Sequence, residues 1–136
     1  MTDRMKDDHD LIRKLRGVDF VFSGGRDYQL TSKDYEWIAS HTFFIANMYI
    51  IGDATGADEC MWNFVEDNDL PRQRFYADWK RYGKSAGPMR NKVMLDYAGP
   101  DAEVILFPGG KGTANMKAQA EERGFIIHDL SKGYNK

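Results

Sequence analysis

Five short runs of apolar, β-branched and aromatic residues recur along this chain, and the gaps between them carry helical spacing. The runs are Val18 to Phe22, Met48 to Ile51, Arg74 to Tyr76 with its flanks, Glu103 to Phe107, and Phe125 to His128. Between them, Tyr35, Ile38, Ala39, Thr42 and Phe43 share one helical face, and Cys60, Met61, Phe64 and Val65 share another. Met89, Val93, Met94 and Tyr97 mark a third face, and Met116 and Ala120 with Arg123 mark a fourth. Strictly alternating strands and helices predict an α/β fold, Rossmann-like and doubly wound, with a mostly parallel five-stranded sheet. Right-handed crossovers leave few topologies, and the order 3-2-1-4-5 is the one expected. Leu11, Ile12 and Leu15 add an amphipathic N-terminal helix. The layout is thus a helical extension over 1–17, the Rossmann-like domain over 18–130 and a loose tail over 131–136. Thr31 with Asp34, and Thr55 with Asp58, have the spacing of capping boxes.

The expected strand order sets the ends of the first and fourth strands side by side at the topological switch point, where such sheets bind ligands. Both ends carry glycines. Ser23-Gly24-Gly25-Arg26-Asp27 follows the first strand, and Pro108-Gly109-Gly110-Lys111-Gly112-Thr113 links the fourth strand to a helix. A strand that opens through glycines into a helix presents free backbone N–H groups at the positive end of a helix dipole, which suits a phosphate. Neither corner matches the Walker or dinucleotide patterns, because Lys111 precedes Gly112 rather than Ser or Thr and the glycine spacing is wrong. Each alone also reads as a tight turn; the pair points to a nucleotide-like ligand.

A third corner, Gly52-Asp53-Ala54-Thr55-Gly56-Ala57-Asp58, ends the second strand. Asp58 reads as a helix cap, whereas Asp53 is open either to loop structure or to hydrogen bonds from a ribose or base. A basic and aromatic segment, Asp78 to Asn91, leaves the third strand for a helix starting near Pro88. Trp79 and Tyr82 read equally as stacking platforms or as core. Arg90 reads better as an anion ligand, since a helix start disfavours a cation.

At 136 residues with 42% hydrophobic and 29% charged content, the chain is long enough for one domain with a real core. Its net charge of -2 counts against nucleic acid or an acidic membrane as general partners. A lone Cys60 and a polar start without an apolar signal segment lead to the expectation of a reducing, cytoplasmic location. His9, His41 and His128 are isolated, so no metal is expected, and no cofactor is required. Cys60 reads as buried, and the aromatics near Tyr35, Trp37, Phe43 and Phe44 as core and subunit-contact surface.

Taken in order, Gly24-Gly25-Arg26-Asp27-Tyr28, Gly52 to Asp58, Ala77-Asp78-Trp79, Tyr82-Gly83-Lys84, Gly87-Pro88-Met89-Arg90-Asn91 and Pro108 to Thr113 resemble the YspA-type, cpYpsA-related branch of the SLOG superfamily. That superfamily includes the LOG phosphoribohydrolases and the DNA-processing protein DprA. The resemblance covers Val18 to Leu130. It implies a Rossmann-like sheet and a pocket at the glycine corners for nucleotide derivatives such as NAD-related or ADP-ribose-like molecules. In LOG enzymes the glycine motif is followed by a glutamate that serves cleavage of the N-glycosidic bond; here that place holds Met116. A thioether supplies neither a general base nor charge.

The expected ligand site therefore comprises Gly24, Gly25, Arg26, Asp27, Asp53, Arg90, Asn91, Pro108, Gly109, Gly110, Lys111, Gly112 and Thr113. Binding of a nucleotide-type signal, by a sensor or sequestering protein, is the leading expectation. A LOG-like nucleotide glycohydrolase, with Asp27, Asp53 or Arg90 as its catalytic candidates, is the alternative. A DprA-like module for single-stranded DNA is a third, resting on Lys80, Arg81, Lys84 and Arg90 beside Trp79 and Tyr82. A homo-oligomer built on dimers is expected from the aromatics on the first helix, from the amphipathic segment before the first strand, and from the dimeric LOG relatives that the resemblance brings in.

Overall fold

The computed structural model describes residues 17–134. The helix expected around Leu11 to Leu15 lies outside them, as do the last two residues of the tail. Five parallel strands form one sheet: β1 (Val18–Ser23), β2 (Ala46–Ile51), β3 (Arg72–Arg74), β4 (Glu103–Leu106) and β5 (Ile126–Asp129). Their order is β3-β2-β1-β4-β5, the doubly wound arrangement that the alternation predicts. Strand β3 ends before Phe75 and Tyr76, and Tyr76 is exposed.

Side chains alternate across the sheet and build two cores. Phe20, Phe22, Tyr49, Ile51, Ile105 and Phe107 meet Ile38 of α1 (Ser32–Thr42) and Met61 and Val65 of α2 (Ala57–Asp67). Val21, Ile50, Val104 and Leu106 meet Met94 and Leu95 of α4 (Ala86–Tyr97), and Met116 and Ala120 of α5 (Lys111–Glu122). The sheet is covered on both faces, as its near-continuous apolar strands require. Met116 is fully buried in the second core, among residues packed on the sheet. A short helix α3 (Trp79–Tyr82) and a 3-10 turn (Gly83–Ser85) lead into α4. Helix α4 begins two residues before Pro88, which sits in the first turn where its missing N–H costs no helical bond.

Three local expectations need correction. Thr31 and Asp34 do form a reciprocal capping box, but Thr55 and Asp58 do not. Gly56 caps α2 instead, at φ +71°, and the Asp58 carboxylate turns back to accept from the Ala54 N–H at 3.0 Å. Thr55 Oγ1 donates to the Arg26 carbonyl, because the β1 corner passes directly over this turn. The third helical face is also rotated. Met94 is buried, but Met89, Val93 and Tyr97 are half exposed, and α4 instead buries Ala86, Gly87, Asn91 and Leu95. The tail expected to be loose begins with a 3-10 turn over Leu130–Lys132, and Tyr134 packs against the first core.

Candidate functional site

The corners after β1, β2 and β4 converge at the C-terminal edge of the sheet, and their backbones hold one another. The Gly25 N–H donates to the Pro108 carbonyl at 2.8 Å, and the Gly25 carbonyl accepts from Ala57 N–H at 3.1 Å and Tyr28 N–H at 3.2 Å. A Cβ on Gly24 would lie 2.5 Å from that of Ala57, and one on Gly109 would lie 2.8 Å from the Gly25 nitrogen. Gly24, Gly25 and Gly109 are thus glycines because three loops cross at van der Waals distance. Tyr28 anchors this junction from below. It stacks on Phe107 and donates to the buried Asp34 carboxylate at 2.6 Å. Burial, with that bond, pushes the phenol up to about 12.

Gly110 and Gly112 differ from these. Nothing lies within 4 Å of where either Cβ would stand. No side chain caps α5, whose first residues are Lys111, Gly112 and Thr113. The first-turn amides of a helix have no partner within it, so this end presents donors and a positive dipole to open space. Lys111 is exposed beside them, and Thr113 is buried with its hydroxyl against Gly109.

Arg26 and Asp27 are both exposed at the rim. The Arg26 guanidinium lies over the Trp79 ring, 5.1 Å from its centroid, a cation–π contact. Trp79 in turn rests on the start of α4, where a Cβ on Gly87 would meet its ring at 3.2 Å. Trp79 is 45% exposed, so part of its ring remains open to solvent. Asp78 caps α3, accepting from Arg81 N–H at 3.1 Å, which orients Trp79 on the first turn.

Behind this rim lies a charged cluster. Arg90 Nη1 donates to Asp53 Oδ1 at 2.7 Å, and the Ala77 N–H reaches the same oxygen at 3.3 Å. The two side chains are 9% and 20% exposed. Arg90 Nε is buried and has no partner among the described residues. Asp58 lies close by, since a Cβ on Gly52 would meet both its carboxylate and the Arg90 guanidinium. Burial pushes the Asp58 carboxyl up to about 6, against the opposing pull of the Arg90 charge. Arg74 completes the cluster by donating to the Gly52 carbonyl and pairing with Glu59 at 2.8 Å.

The fold brings the glycine corners, Asp53, Arg90 and Asn91 to one edge of the sheet, but it divides their tasks. Asn91 is buried and works within the protein: its amide donates to the Gly112 carbonyl at 3.2 Å and to Asn115 Oδ1 at 3.1 Å. It thereby ties α4 to the start of α5. Gln119, which donates to Asn115 and to the Pro88 carbonyl, extends that tie. Asn115, Gln119, Arg74 and Glu59 were not singled out from the sequence. Glu59, next to Asp58, and Asn115, two residues beyond Thr113, lay beside the motifs; Arg74 and Gln119 did not.

A separate cavity of about 410 Å³ opens at the β5 edge, lined by Trp37, His41, His128 and Tyr134 among others. None of the glycine-corner residues reaches it. Among the described residues, no cluster of His, Cys, Asp and Glu has the makings of a metal site, and no helix is long and apolar enough to cross a membrane. The fold defines a doubly wound α/β protein whose glycine-bearing corners meet at its switch point. Comparisons with protein-family models, curated proteins and solved structures yield no match.

Proposed function

We propose that this protein binds a nucleotide or nucleotide-derived molecule of the NAD or ADP-ribose type, as a sensor or sequestering protein. The phosphate would sit on the bare start of α5, between Gly110 and Thr113, with Arg26 and Lys111 supplying charge. The base would stack on the exposed part of the Trp79 ring face. Asp53, at the end of β2, has one oxygen held by Arg90 and Ala77, which leaves the other to accept from ribose hydroxyls.

The observation that carries this reading is Gly112. It lies in a helical turn, where alanine would be the more stable choice, and no neighbour excludes a side chain there. A glycine that packing does not require, on an uncapped helix start, fits close approach by a ligand to the backbone. Holding the ligand is favoured over cleaving it. Met116 is in the core, and the Asp53 carboxylate is engaged by Arg90. A cytoplasmic setting and a homo-oligomer built on dimers belong to the same proposal.

Calorimetric titration with ADP-ribose, NAD, AMP and cyclic nucleotides tests it. Binding of at least one in the micromolar range is expected, weakened by Arg26→Ala. No binding of any of them below millimolar concentration overturns the reading.

A further inference from the structure

Helix α4 carries a row of large apolar side chains that nothing in the described fold covers. Met89, Val93 and Tyr97 stand four residues apart and are 41%, 50% and 47% exposed. They lie one above another on one face, because residues four apart are neighbours along a helix. Phe75 meets Tyr97 edge-on at 5.2 Å and carries the apolar surface toward the edge strand β3. Three half-exposed large residues in register are unlike the scattered single ones that ordinary surfaces show. The opposite face of α4, through Met94 and Leu95, is packed on the sheet, so this row is a second apolar face on one helix.

We infer that this row is the contact between two copies of the chain, packed α4 against α4 about a two-fold axis near Val93. This rests on the proposal that the protein self-associates, and gives it a surface. The row suits its own reversal. Antiparallel packing about Val93 brings Met89 onto the partner's Tyr97, a thioether on a ring, and brings Tyr97 onto the partner's Met89. The charges beside the row reverse onto one another as well. Lys92 and Asp96 form a second row, paired at 2.9 Å, with Arg123 also on Asp96 at 2.9 Å. Turned about the axis, Lys92 approaches the partner's Asp96 and Asp96 approaches the partner's Lys92. Each contact is made twice, as an isologous interface requires. Rows of residues four apart on both helices interdigitate as ridges into grooves. A membrane would favour a uniformly basic border to such a row, and this border is mixed in sign.

The test uses the full chain. Light scattering gives the mass of the wild type and of Val93→Glu at micromolar and higher concentrations, with circular dichroism to verify folding. In a Cys60→Ser background, Val93→Cys is oxidised in parallel with Glu36→Cys on the exposed side of α1. The inference expects a wild-type dimer and a dissociation constant raised about a hundredfold or more by Val93→Glu, since the axis counts the change twice. It also expects a disulfide-linked dimer from Val93→Cys and none from Glu36→Cys. Should Val93→Glu fail to fold, the cross-linking decides alone. A wild-type dimer that survives Val93→Glu, with no cross-link at Val93, overturns this surface and leaves self-association standing. A monomeric wild type overturns both, and gives the row to a different occupant.

Discussion

Asp58 and Arg90 meet beside Gly52, where a Cβ would touch both, and Asp53 pairs with the same guanidinium. The cluster sets Arg90, with Arg74 beside it, near the Asp53 and Asp58 carboxylates, and its charge balance depends on the proton at Asp58. That proton leaves near 3.8 in an unfolded chain and at about 6 in the folded one. Between those values folding takes up a proton, so stability falls as pH rises from about 4 to 6 and is level above. A shift of this size corresponds to about 3 kcal/mol at most. Asp58→Asn removes the titration. Urea unfolding of both proteins between pH 4 and 7.5 is expected to show the wild type gaining on the variant by about 2–3 kcal/mol as pH falls. A gap that is constant with pH contradicts the burial assigned to Asp58. The sequence showed Asp58 at a helix start and suggested a cap. It did not show that Gly56 would take that place while Asp58 turned inward beside Arg90. Such a pairing joins two segments far apart in the chain, and no local spacing encodes it.

Among the elements, the turns that open α2 and α5 look alike in sequence, and the structure gives them different work. Gly56 opens α2 at φ +71°, and a Cβ there would lie 2.3 Å from the Arg26 carbonyl oxygen. Gly112 lies inside the first turn of α5 with open space around it. Gly56→Ala is therefore expected to cost about 2 kcal/mol or more, through strain and collision together. Gly112→Ala is expected to leave stability unchanged or raise it by about 0.5 kcal/mol. Thermal melts of the two variants measure the difference. A loss at Gly112 as large as at Gly56 would show that packing, not a ligand, requires that glycine. That both are glycines in helix-opening corners was legible from the chain. Which one was structural depended on the β1 corner crossing above Gly56, a tertiary fact. Helix α4 failed in the same way: Met89, Val93 and Tyr97 have the spacing of a core face, and only the position of the sheet against Met94 and Leu95 shows them facing outward.

For the molecule as a whole, the strand order was legible because alternating strands and helices with right-handed crossovers allow few ways to close one sheet. Helices α1 and α2 cover one face and α4 and α5 the other, and the reversal between β2 and β4 on either side of β1 sets the switch point. The convergence of the glycine corners followed from that order alone. What lay beyond it was the inward half of the site, where Asn91, Asn115 and Gln119 lock α4 to α5 so that Arg90 and the bare helix start keep a fixed separation. The central claim is that a nucleotide phosphate sits on the start of α5. The measurement that tests it most directly is amide chemical-shift mapping during titration with ADP-ribose. The expected result is a saturable set of shifts centred on residues 110–113, with Arg26 and the Trp79 indole among them. Shifts centred instead on His128 and Tyr134 at the β5 edge, or no shifts at all, would contradict it.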